Sequence, residues 1–105
     1  MARKKTRDYE KDLLERLKDP EYASEYLNSV IEDEEDENLE ERFLIALSDV
    51  AKAHGISKLA KETHLWRKSL YKVLSPEGNP RFSTLAAILH AIGLRLQVAT
   101  AERKL

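Results

Sequence analysis

Between Trp66 and Lys72 the chain places an indole, Arg67, Lys68, Tyr71 and Lys72 within seven residues. Guanidinium and ammonium groups at helical spacing, with a phenol among them, suit hydrogen bonding to base edges and ion pairing with phosphates. Leu70, Val73 and Leu74 follow the i, i+3, i+4 spacing of one helix face, so the segment reads as an amphipathic helix with a basic outer side. Arg67 and Lys68 fall in its first turn, and Tyr71 and Lys72 come one turn later. Arg67 has the planar fork to pair bidentately with a guanine, a contact worth about 1–3 kcal/mol of base discrimination. Lys68 and Lys72 are assigned to phosphates, and Trp66 either packs on Leu70 or meets a thymine methyl. A second group begins a later helix: the backbone N–H groups of Ser83 and Thr84 would hold a phosphate, with Arg81 assisting.

These residues need a frame, and the stretch from Ile56 to Leu74 supplies one. Leu59 and Ala60 belong to a short helix, Leu70, Val73 and Leu74 to another, and the gap from Thr63 to Trp66 holds only a tight turn. Two helices so joined at a steep angle form a helix-turn-helix, whose second helix enters a DNA major groove. Ala60 is the small residue where the helices come closest, and Leu65 joins Leu59, Leu70 and Val73 at the packing positions. Two residues depart from the pattern. His64 stands where a glycine would adopt positive φ, at a cost of about 1 kcal/mol or less, because His is among the types that enter the left-handed region. Trp66 stands where Ser, Thr or Asn would cap the second helix.

The surrounding elements read as helices. Residues 1–8 read as a mobile, solvated basic arm, with a phosphate or minor-groove contact by Arg3, Lys4 and Lys5 as the alternative. Tyr9, Leu13 and Leu17 recur every fourth residue and predict a short helix. Asp19 caps the next one and Pro20 opens it, with Ala23, Tyr26, Leu27, Val30 and Ile31 on one face. Glu32 to Glu37 is an acidic linker: an EF-hand loop from Asp33 would need Gly and Glu where Asn38 and Leu44 stand, so calcium is excluded. Leu39 to His54 is the longest helix, stopped by Gly55; Ser57 caps the next. Ser75 to Pro80 is a loop with tight turns. Ser83 caps a last helix with Leu85, Ile88, Leu89 and Ile92 inward, ended by Gly93. Leu94, Leu96 and Val98 alternate with Arg95 and Gln97, which predicts a short strand paired with its copy in a dimer.

A net charge of −1 conceals a sharp division. Residues 1–18 carry seven Lys/Arg against four Asp/Glu, residues 19–49 one Arg against twelve, and residues 50–105 ten against three. A basic C-terminal half implies a polyanionic partner, and an acidic middle implies a basic one. The absence of cysteine excludes disulfides and thiolate metal sites and is compatible with a reducing cytosol. No apolar window is long enough to span a membrane, and no apolar stretch follows the basic N-terminus as in a signal peptide. His54, His64 and His90 are scattered, and no H-E-x-x-H, G-x-S-x-G, P-loop or G-x-G-x-x-G occurs. The sequence therefore predicts neither catalysis nor a metal or cofactor.

Two segments go beyond the generic motif. Asp19-Pro20-Glu21-Tyr22-Ala23 with Glu25-Tyr26-Leu27 is one. Ser69-Leu70-Tyr71-Lys72-Val73-Leu74-Ser75 running into Gly78-Asn79-Pro80-Arg81-Phe82-Ser83-Thr84-Leu85 is the other. Together they resemble the addiction-module antidote proteins, HigA-like antitoxins of the Xre/lambda-repressor-type helix-turn-helix class, over roughly Tyr9 to Val98. The resemblance implies a cytoplasmic antitoxin of a bacterial type II toxin–antitoxin operon. Such a protein binds operator DNA as a homodimer, represses its own promoter and neutralises a RelE/ParE-like toxin. The alternative is a stand-alone Xre-type regulator without a toxin partner. The expected architecture is all-α, a lambda-repressor-like helix-turn-helix domain with an N-terminal helical extension and a short C-terminal strand. Residues 1–38 would be the extension and acidic linker, 39–98 the DNA-binding domain and 99–105 a tail.

Overall fold

The computed structural model describes residues 2–101, with side chains from residue 8 onward. The described residues form six helices and no strand: α1 (Ala2–Arg16), α2 (Pro20–Ile31), α3 (Leu39–His54), α4 (Ile56–Thr63), α5 (Arg67–Val73) and α6 (Phe82–Ile92). The first helix starts at Ala2 rather than near Tyr9, which corrects the expected arm. Residues 2–8 contain neither Gly nor Pro and are rich in Lys and Arg, so nothing in them stops the helix. The contact expected of Arg3, Lys4 and Lys5 lies outside the described side chains.

Helix α2 begins as its residues dictate. Asp19 is extended and its carboxylate accepts from the Glu21 N–H at 3.1 Å, while Pro20 occupies a first-turn position where no N–H partner is needed. Ala23 and Leu27 are buried against α3, whereas Ile31, at the end of the stripe, is 42% exposed. Tyr26 is half-buried and donates from its hydroxyl to Asp49 on α3 at 2.9 Å. Burial, and then that hydrogen bond, raise the Tyr26 pKa far above the ordinary phenol value. Residues 32–38 turn between α2 and α3. There the Asp36 carboxylate accepts from the Asn38 backbone N–H and pairs with Arg42, which lowers its pKa.

The third helix is the hub. Leu44, Ala46, Leu47, Val50 and Ala51 are buried, and α3 packs on α1, α2 and α4. Gly55, at φ 108°, lets the chain leave α3 and enter α4 within one residue. Ser57 therefore lies inside α4 and makes no capping bond, contrary to the expectation. Helix α4 packs on both α5 and α6, with Leu59, Leu70, Ile88, Leu89 and Ile92 in the common core beside Leu13, Leu17 and Leu27. At its N-terminus α6 differs in the same way as α4. It starts at Phe82, and Arg81, not Ser83, occupies the cap position without a side-chain bond. Gly93 ends α6 in the left-handed conformation.

From Leu94 to Ala101 the chain is irregular, and the expected strand is not formed. Its last backbone bond among the described residues runs from the Leu94 N–H to the Leu89 carbonyl, at 2.8 Å. Alternating residues make a strand only where another backbone offers a ladder, and among the described residues no segment does so.

Candidate nucleic-acid interface

The turn between α4 and α5 consists of His64, Leu65 and Trp66. His64 has φ 61° and ψ 29°, the left-handed conformation its position predicts. The chain closes around it as at a helix end: the Leu65 N–H donates to the Ala60 carbonyl at 3.1 Å, and Thr63 Oγ1 donates to the Leu59 carbonyl at 2.8 Å. Leu65 turns inward onto the core with Ala60. Trp66 is extended, caps α5 only through its backbone, and leaves its ring 82% exposed. It is therefore an outward residue rather than a packing partner of Leu70.

Helix α5 divides cleanly. Leu70 and Leu74 are buried and Val73 is half-buried, while Arg67, Lys68, Tyr71 and Lys72 are exposed. At 3.6 residues per turn those four outward positions span an arc of about 140°. They form one face with three cations, one phenol and no carboxylate. Arg67 is also held from α4: its Nη1 donates to Ser57 Oγ at 3.1 Å. The sequence reading missed that contact, since a bond between two helices ten positions apart leaves no periodic signal. Ser57 thus holds an exposed cation of α5 instead of capping a helix.

Arg81 and Ser83 are exposed and Thr84 is half-buried at the start of α6, which packs on α4 as α5 does. The first intrahelical bond there runs from the Leu85 N–H to Arg81, at 2.9 Å. The N–H groups of Phe82, Ser83 and Thr84 therefore precede the ladder and are available to an anion. Phe82, which sequence reasoning did not single out, is 73% exposed between Arg81 and Ser83. The loop before it is tightly built: a Cβ on Gly78 would stand 2.0 Å from the Val73 carbonyl oxygen at the end of α5.

Behind this face, His54 Nε2 and Glu62 Oε1 are hydrogen-bonded at 2.7 Å, tying the end of α3 to α4. Among the described residues no three His, Asp or Glu side chains cluster as a metal site would require, and no helix is long and apolar enough to cross a membrane. What the arrangement offers is an exposed, cation-rich set of hydrogen-bond donors on α5 and the start of α6, both of which pack on α4.

No solved structure matches the chain. A Haemophilus influenzae protein described as "Uncharacterized protein" is 37% identical over 87 residues, which cover 83% of this chain and 86% of its own length. The family model for "Probable addiction module antidote protein" matches residues 8–100. That span takes in the acidic loop, the α4–α5 turn and the start of α6 alike. The chain belongs to the family of addiction module antidote proteins.

Proposed function

We propose that this antidote protein is the antitoxin of a type II toxin–antitoxin module that binds operator DNA as a homodimer and represses its own operon. In this reading α4, the His64 turn and α5 are the helix-turn-helix of a lambda-repressor-like domain of the HigA-like, Xre-type class. Residues 39–98 are the DNA-binding domain, 1–38 the extension and 99–105 the tail. The observation that carries it is the outward face of α5, where Arg67, Lys68, Tyr71 and Lys72 are all exposed behind a left-handed turn residue. Trp66 borders the bases, and Arg81, Ser83 and Thr84 hold a backbone phosphate. The partner is a small, basic, RelE/ParE-like toxin, for which the acidic stretch between α2 and α3 is the natural complement. Both partners are met in the cytoplasm.

The test is a shift assay at several salt concentrations, comparing the chain's own upstream DNA with random duplex. Specific binding exceeds random binding by a factor of at least about 10³. Equal affinity for the two sequences removes the operator reading. Co-expression with the product of the neighbouring reading frame, followed by pull-down, separates an antitoxin from a stand-alone Xre-type regulator, which is recovered alone.

A further inference from the structure

We infer that the toxin docks in the cleft between α2, α3 and the segment after α6, and that it enters with a basic amphipathic segment. The inference rests on the antitoxin reading above and assigns that reading a surface. The cleft has a volume of about 500 Å³; Leu27, Ile31, Phe43, Leu89, Leu94 and Leu96 form its apolar wall, and polar side chains, Arg95 among them, complete the lining. Ile31 and Leu96 are 42% and 40% exposed, so apolar area at the rim is open to solvent. Apolar side chains in a groove of this kind suit one face of a helix with anchors at i, i+3, i+4 and i+7.

Charge decides which helix. The lining itself holds one charged side chain, Arg95. But Ile31 and Phe43 both line the cleft, and the chain between them carries eight carboxylates against one cation, Arg42, which is already paired with Asp36, so the surroundings remain strongly acidic. The acidic turn therefore borders the cleft at the end of α2. A segment with Lys or Arg flanking its apolar face meets opposite charge there, whereas an acidic one is repelled. A second copy of this chain is the wrong occupant for the same reason. A two-fold contact across the cleft would bring the two acidic turns towards each other. None of the residues lining the cleft belongs to α4 or α5, so the surface is separate from the basic face and one chain can hold both partners.

The experiment uses the full chain co-expressed with a tagged product of the neighbouring reading frame. Ile31→Glu and Leu96→Asp each put a carboxylate into the apolar wall, and the triple variant Glu34→Lys, Glu35→Lys, Glu37→Lys reverses the rim. All are exposed positions, and circular dichroism verifies that the helices remain. The expected result is an affinity for the toxin lowered about tenfold or more by each wall variant, with operator binding unchanged. The rim variant loses affinity at low salt and approaches wild type at high salt. Hydrogen exchange of the wild-type complex shows new protection in residues 24–31 and 93–99. Wild-type affinity in both wall variants, or protection confined to α5, overturns the surface while the antitoxin reading stands. Failure of the wild-type chain to bind the toxin overturns both. Wall variants that lose self-association but keep the toxin give the cleft to a second copy and overturn the proposal.

Discussion

Arg67 is exposed, yet it is not loose, because its bond to Ser57 limits the rotamers it samples. Pre-orientation of that kind lowers the entropy lost on binding. Replacing Arg67 with alanine is expected to relax base preference by about 1–3 kcal/mol, seen as a flattened ratio between operator and random DNA. Lys72→Ala should weaken all duplexes alike and reduce the salt slope by about one. Equal specificity loss in the two variants contradicts this division of labour. A different chemistry governs Tyr26. Its folded pKa lies above the ordinary value of 10.0, so the folded state keeps the proton after the unfolded chain has lost it. Its stabilisation is full below pH 10 and is lost as the pH rises beyond it. Tyr26→Phe is expected to cost about 0.5–1.5 kcal/mol in urea denaturation at neutral pH and to reduce the alkaline loss of stability. The outward residues of α5 were legible in the sequence because a helix with one apolar face fixes where the others point. The Ser57–Arg67 bond was not, because it depends on the angle between two helices.

Helices α4, α5 and α6 are held in register by two short connections, and both make predictions. A non-glycine residue in the left-handed conformation costs roughly 1–2 kcal/mol, while glycine adds about 0.4–1 kcal/mol of unfolded-state entropy. His64 is exposed, so glycine gives up little buried area there. His64→Gly is therefore expected to raise stability by up to about 1 kcal/mol, measured by thermal unfolding, with no change in DNA affinity. Gly78→Ala has the opposite sign. Its Cβ would collide with the backbone of Val73, which no side-chain rotation can relieve. A loss of about 1–3 kcal/mol is expected, together with weaker operator binding as the end of α5 shifts. The limits of α2 and α3 were legible because Asp19-Pro20 and Gly55 are strong punctuation. The starts of α4 and α6 were misplaced by two residues, because Gly55 and Arg81 begin those helices through backbone conformation and leave the nearby serines uncapping. The 94–98 strand was misread because alternation specifies a face and not a partner. The positive φ at His64 was legible from the turn's position alone.

Across the whole molecule the opposed charges are kept apart, with the acidic turn joining α2 to α3 and the basic face on α5 and the start of α6. Under the operator reading, a single α5 of seven residues would cover few base pairs. Affinity in the range of specific regulators then calls for two such helices on one duplex. Closed two-fold symmetry is the simplest way to provide them. In that arrangement the two α5 helices lie one helical turn apart, on the order of 34 Å, and the operator is palindromic. The acidic stretches add long-range repulsion between protomers, which ionic strength screens within about 10 Å at 0.1 M salt. Self-association is thus expected to strengthen with salt while DNA affinity weakens, two opposite slopes from one charge map. Sedimentation of the chain alone and on a palindromic duplex, each across a salt series, reads both. Two protomers per duplex with half-sites about 10 base pairs apart is the expected result. A single protomer bound at saturation, with no dimer at micromolar concentration in any salt, would refute the two-fold arrangement.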